Sequence, residues 1–192
     1  MLYRQGHRQN GMMRISSTAV IMRKWRMKMN FKAVNVSPME KVFSTAVPSE
    51  EGAREKLSGL KGEIVSFQIA YYAESQGFAR AEAEVISPIR EQVQLRKVAL
   101  VPCEYPCGPV VDEDYITTAP GLYPDRLEKL EKVSDEEKDI YKEIPLIHAQ
   151  WRSLWVDVAL SEDMEAGTYP LTIRLTYKGE VLTEKSVEVE VI

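Results

Sequence analysis

A two-residue alternation of apolar and polar positions recurs through most of this chain. Val65, Phe67, Ile69 and Tyr71 alternate with Ser66, Gln68, Ala70 and Tyr72, and Gly62-Glu63 stands just ahead of them. Successive side chains of an extended chain point to opposite faces, so this period predicts a strand with one buried face. Ala81, Ala83 and Val85 alternate in the same way with Arg80, Glu82, Glu84 and Ile86. Three of those neighbours are charged, which suits a strand whose second face meets water, and Ser87-Pro88 ends it. Between Val93 and Val101 the apolar phase changes, Val93 and Leu95 giving way to Val98 and Leu100, which predicts a bulge at Arg96-Lys97.

The last third repeats the pattern at greater length. Tyr169, Leu171, Ile173, Leu175 and Tyr177 alternate with Pro170, Thr172, Arg174 and Thr176, one long antiparallel strand. Lys178-Gly179-Glu180 supplies a reversal, after which Val181, Thr183, Lys185, Val187, Val189 and Val191 share a face against Glu184, Ser186, Glu188 and Glu190. Several short strands with almost no helical period indicate an all-β fold, a sandwich or a barrel rather than a βαβ unit, and the preferred reading is an antiparallel β-sandwich of the immunoglobulin or fibronectin two-sheet kind over residues 40–192. The exception is Asp125 to Glu143. There Leu127, Leu130 and Val133 are spaced as on a helix, and Glu128 and Lys132 can pair four residues apart, so a short exposed helix or a solvated loop is expected.

Charge divides the chain in two. The net charge of −4 hides a stretch before Glu40 that has no acidic residue and carries Arg4, Arg8, Arg14, Arg23, Lys24, Arg26, Lys28 and Lys32. Six of the eight methionines lie in the first 29 residues, and no hydrophobic period or turn chemistry ties them to the alternating segments. Residues 1–39 therefore read as a basic, poorly structured extension. Ile15 to Met22 is too short and too hydroxylated for a secretory signal, whereas a mitochondrial-type presequence or a phosphate-neutralising arm remain alternatives. The preferred reading starts translation at Met29. No apolar run approaches the ~20 residues that span a bilayer, so no membrane association is expected. Only Cys103 and Cys107 are present, no disulfide framework, and a reducing, cytoplasmic location is expected.

Candidate chemistry is sparse. Asp112-Glu113-Asp114, Asp135-Glu136-Glu137 and Glu162-Asp163 are the acid clusters a glycosidase would need, but adjacent side chains on a strand or turn diverge, and a solvated surface explains them better. Cys103, Cys107 and His148 fall short of a zinc set, and the same residues make a weak nucleophile pair because no basic neighbour would depress the thiol pKa. Neither a phosphate-binding glycine loop nor a dinucleotide fingerprint occurs, so neither a nucleotide cofactor nor any other cofactor is expected, and the acidic domain suits no nucleic-acid partner. The segment Gln150 to Val158 is more informative. Leu154, Val156, Val158 and Leu160 belong to a core, which puts Trp151, Ser153, Trp155 and Asp157 on the opposite face, the two indoles about 13 Å apart at ~3.3 Å per residue. Those indoles either pack under a loop of the same domain, dock against another domain, or stack on a sugar ring.

An ordered set of motifs carries a family resemblance: Gly62-Glu63-Ile64-Val65-Ser66-Phe67-Gln68, Leu100-Val101-Pro102, Thr117 to Asp125, Gln150 to Val156, and Ala166-Gly167-Thr168-Tyr169-Pro170. Together, over roughly Lys41 to Ile192, they resemble the N-terminal domain of glycoside hydrolase family 123-like proteins. The resemblance implies a β-sandwich ahead of a (β/α)8 barrel in N-acetyl-β-galactosaminidases that use an adjacent Asp-Glu pair and the substrate's acetamido group. Those acids belong to the barrel, and no position of this chain matches them, so no catalytic residue is expected. The chain then reads as a non-catalytic accessory domain, separated from its barrel by a truncated reading frame, with the barrel as partner in cis or from an adjacent frame. The Trp-bearing face or a loop from Pro120 to Asp125 would do the docking. The alternative is an independent carbohydrate-binding module. Tyr123, Asp125, Arg126, Trp151, Arg152 and Trp155 are the candidate contacts to barrel or glycan in either case.

Overall fold

The alternating segments form strands, and the strands form two facing sheets, in a computed structural model that describes residues 29–49, 55–75 and 77–192. The strands are β1 (Phe31–Val36), β2 (Lys56–Gly59), β3 (Ile64–Ala73), β4 (Phe78–Ile86), β5 (Val93–Cys103), β6 (Gly121–Lys129), β7 (Lys132–Ser134), β8 (Asp139–Ile147), β9 (Gln150–Ala159), β10 (Gly167–Tyr177) and β11 (Glu180–Val191). A 3-10 turn, Arg90–Gln92, precedes β5. One sheet runs β1-β3-β9-β5-β6 and the other β2-β11-β10-β4-β8-β7. All ladders are antiparallel except β2 on β11, which is parallel. The β-sandwich expected from the period of two is the architecture observed.

Its core lies where the alternation puts it. Phe67, Ile69 and Tyr71 from β3, Leu154, Val156 and Val158 from β9, and Leu171, Ile173 and Leu175 from β10 are buried between the sheets with Ala81, Ala83 and Val85. The hairpin between β10 and β11 turns on Lys178 and Gly179, with φ of 51° and 77°. Positive φ at both central residues matches the right-handed twist of the flanking strands, and glycine adopts it without a Cβ clash.

Several expectations are corrected. β1 lies inside the segment read as extension, and it pairs with β3 from Phe31 opposite Ala73 to Val36 opposite Gln68. The readings made on residues 1–28 lie outside the described residues. No bulge interrupts β5 at Arg96-Lys97. The strand stays continuous, but its pairing with β9 ends at Lys97 opposite Leu154, and its register against β6 shifts between Ala99 and Leu100. Beyond Lys97 the strand has lost β9 as its ladder neighbour, and the change of apolar phase falls at this point.

The stretch from Asp125 to Glu143 is neither helix nor loop but the two edges β6 and β7 and the start of β8. Glu128 and Lys132 do not pair. Glu128 meets Lys97 at 2.9 Å and also Arg126, while Lys132 meets Asp139 at 3.1 Å. Leu130 is buried at the corner where the chain crosses from one sheet to the other. In β11 the expected face is broken at Leu182: Leu175 opposes Thr183 and Thr176 opposes Val181, so Leu182 is an extra residue that packs on the core while Val181 turns outward.

The registers also fix the two ends of the sandwich. Phe31, Ala73 and Trp151 lie at one end, and Ile64, Ala159 and Val191 at the other, where Ile192 is hydrogen-bonded through its N–H to the Gly59 carbonyl at 3.0 Å. After Lys97, β5 continues toward the first end with only β6 beside it. This two-stranded arm carries the connection 104–120 at its tip.

Candidate functional site

A segment with no period of its own shapes the surface around the tryptophans. From Ser37 to Pro48 the chain runs as a strap over the outer face of the first sheet. Gln68, expected on a solvated face, is buried beneath it, and its amide donates to the carbonyls of Ser37 (3.1 Å), Pro38 (3.3 Å) and Glu40 (2.8 Å). Its own carbonyl oxygen accepts the Ser153 hydroxyl at 2.7 Å. Farther along, the Trp151 N–H donates to the Ser44 carbonyl at 3.0 Å. The strap thus supplies the partner that β5 stops supplying after Lys97, and a buried backbone donor is kept satisfied.

That cover decides the fate of the aromatic face. Trp151 is 9% exposed, packed with Val36, Val42 and Ala70 and lying 5.6 Å from the Tyr72 ring. Trp155 is half-buried, and its indole N–H donates to the Asp157 carboxylate at 2.6 Å. The same carboxylate accepts the Ser66 hydroxyl at 2.6 Å and pairs with Arg96. Arg152 is not on this face at all. It opposes Tyr71 on the inner side, where its Nη2 donates to Gln150 Oε1 at 2.6 Å and burial presses the guanidinium below its ordinary pKa.

Tyr123, Asp125 and Arg126 all belong to β6, since the expected Pro120 to Asp125 loop is strand from Gly121 onward. The Tyr123 hydroxyl donates to the Ala119 carbonyl at 2.6 Å, and its ring meets Phe43 of the strap edge-on at 5.6 Å. Asp125 faces Lys41 at 3.8 Å, whose ammonium also donates to the Pro124 carbonyl at 3.4 Å. Arg126 is exposed and pairs with Glu128. The strap therefore joins Tyr123 and Asp125 to one locality, with Trp155 and Trp151 beneath it and Arg152 and Arg126 elsewhere.

Between the strap and the arm lies an open cleft of about 610 Å³, walled by Phe43, Val101, Tyr115, Ile116 and Tyr123, with Asp112, Asp114 and Asp125 on its rim. Sequence reasoning missed it because Phe43 is 80 positions from Tyr123 and neither sits in a periodic run. A signal was present in the large apolar residues of the connection 104–120. Tyr105 is 89% exposed, Val110 87% and Ile116 73%, with Val111, Tyr115 and Leu122 also exposed.

Two of the acid clusters are engaged in local turns. The Asp135 carboxylate accepts backbone N–H groups of Glu137 (2.8 Å) and Lys138 (2.6 Å), which hold it below the usual range and tie the β7–β8 turn. The Ser161 hydroxyl likewise lowers Asp163. A general acid needs the opposite shift. Among the described residues no group of three or more His, Cys, Asp or Glu side chains is placed to hold a metal ion. Among them also, no helix is long and apolar enough to cross a membrane.

No protein-family model matches the chain, and no curated protein matches it. Solved structures similar to it include a family 123 glycoside hydrolase from Clostridium perfringens, at 9% identity and a TM-score of 0.44 over 84% of this chain and 27% of that one. The C-terminal domain of the Streptococcus pyogenes antigen I/II-family protein AspA is similar at 9% identity and a TM-score of 0.43, over 84% and 46%. The N-terminal domain of PorA is similar at 9% and 0.36, over 83% and 97%. This chain spans about 27% of the length of the first of these, and likenesses of this size assign neither family nor function.

Proposed function

We propose that this β-sandwich is a non-catalytic accessory domain that docks, through the tip of the β5–β6 arm, on a catalytic barrel of the family 123-like glycoside hydrolase kind. The observation that carries the reading is the concentration of exposed large apolar side chains on one connection, Tyr105, Val110, Val111, Tyr115 and Ile116, continuing into Leu122. Scattered exposed apolar residues are ordinary, but a contiguous group rimmed by polar residues marks a surface that another molecule covers. Tyrosines in such a group are suited to an interface because they combine apolar area with a hydroxyl. The choice of a barrel as partner follows from the resemblance of the ordered motifs between Lys41 and Ile192 to family 123-like proteins.

The test mixes the purified chain with a family 123-like barrel and tracks complex formation by calorimetry and by amide exchange. Expected is a complex of micromolar affinity or better, with new protection across 104–120. A barrel that leaves every amide of the chain unprotected would sink the reading, and protection confined to the Ile192 end would move the docking surface away from the arm.

A further inference from the structure

The cleft between strap and arm, built in part by the tip itself, combines an apolar floor with an unbalanced acidic rim. We infer that it seats a cationic apolar segment of the docking partner, an aromatic or aliphatic side chain flanked by Lys or Arg. This rests on the docking reading and specifies its chemistry.

The floor is built by Phe43, Val101, Tyr115, Ile116 and Tyr123, and a volume of about 610 Å³ is enough for a few side chains. The strap holds Phe43 against Tyr123 at 5.6 Å, and the Tyr123 hydroxyl is fixed to the Ala119 carbonyl. The wall on that side is thus braced before anything binds, which limits the ordering that association requires.

The rim sets the sign. Three carboxylates, Asp112, Asp114 and Asp125, face one ammonium, Lys41. Lys41 is already shared between Asp125 and the Pro124 carbonyl. Among the described residues no ion pair reaches Asp112 or Asp114, and the bond between them is internal, the Asp114 N–H donating to Asp112 Oδ1 at 3.1 Å. Phosphate-bearing partners, nucleic acid or anionic lipid, would be repelled by such a rim. A Lys or Arg side chain answers both features at once, laying its apolar stem on the floor while its charged head meets the carboxylates.

The test titrates the isotope-labelled full chain with two capped hexapeptides that share a Tyr-Leu centre, one flanked by lysines and the other by glutamates. Expected are amide shifts at Cys103, Ile116 and Tyr123 with the lysine peptide only. The affinity should fall roughly tenfold from low to high salt, and fall similarly in the double variant Asp112→Asn, Asp114→Asn, whose exposed positions leave the fold intact. Equal shifts from both peptides, no shifts, or salt-independent shifts at these amides with N-acetylgalactosamine would overturn the inference. A barrel that binds the double variant as tightly as the parent chain would overturn it too, while leaving docking in place. A lysine peptide that binds in the cleft of a chain the barrel ignores would do the reverse.

Discussion

Gln68 shows how a single side chain organises the outer face. Its amide holds three strap carbonyls and its oxygen takes the Ser153 hydroxyl, all in a buried setting where an unmade hydrogen bond is expensive. Gln68→Leu should lower stability by about 1–3 kcal/mol in urea unfolding and should release amide-exchange protection between residues 37 and 44. Unchanged exchange there would show that the strap is held by Trp151 and its neighbours instead. Tyr71 gives a second expectation, this one in pH. Its phenol is buried, donates to the Pro145 carbonyl at 2.9 Å, and has its pKa pushed up by burial; burial raises Tyr141 as well. Both therefore keep their protons in the folded chain after the unfolded chain has released them. Their contribution is whole below the unfolded phenol value of about 10 and is lost as pH rises above it. The urea midpoint should fall between about pH 9 and 11, less steeply in Tyr71→Phe; parallel curves for the two proteins would refute the assignment. At this scale the core residues Leu154, Val156 and Val158 were legible from alternation alone. The burial of Gln68 was not, because what covers it is an aperiodic segment about 30 positions away.

Edges are where local pattern misleads about elements. Leu127, Leu130 and Val133 match a helical spacing, yet Leu127 opposes Val98 in β6, Leu130 plugs the crossing between sheets, and Val133 sits in β7. Charges that could pair along a helix instead pair across strands, because Lys97 and Asp139 lie beside them in the ladders. β7 has three residues and one neighbour, so it depends on such a contact. The Asp139 side chain is 4% exposed and its ion-pair partner is Lys132. Removing one partner of a buried pair leaves the other charge uncompensated, so Lys132→Ala should destabilise the chain by about 3 kcal/mol. The double replacement Lys132→Met with Asp139→Leu should recover much of that loss in the same urea assay. A single variant as stable as the parent would mean that water already serves Asp139. By contrast β10 and β11 were legible from Tyr169 to Tyr177 and from Val181 onward, save for Leu182, since a one-residue bulge leaves only a local change of phase in a sequence.

For the molecule as a whole, the period of two made an all-β fold legible, because a sheet with one apolar face has to bury it, and the two facing sheets are the preferred one of the solutions that the pattern allows. The candidate surface was less legible. Tyr123 and Asp125 do line the cleft, but their significance depends on Phe43 and Lys41, which tertiary folding brings from a distant segment. Tyr105, Val110 and Ile116 have little to lose in the isolated chain, since they are already exposed. Replacing all three with Ser should leave the thermal unfolding curve within about 0.5 kcal/mol of the parent. It should also reduce binding of a hydrophobic dye and abolish complex formation with the barrel. A marked loss of stability would show instead that the connection packs on its own domain.

The parallel placement of β2 beside β11 has a mechanical consequence. Phe31 enters at one end of the sandwich, and Ile192, bonded to Gly59, leaves at the other, with β1 and β11 both running between these ends. A tension applied between the two residues would pull each terminal strand along its own axis, against β3 on one side and against β2 and β10 on the other. Their hydrogen bonds would then share the load in shear instead of opening one at a time like a zipper. Such a module would resist a pull that opens a hairpin, and would keep its arm presented under load.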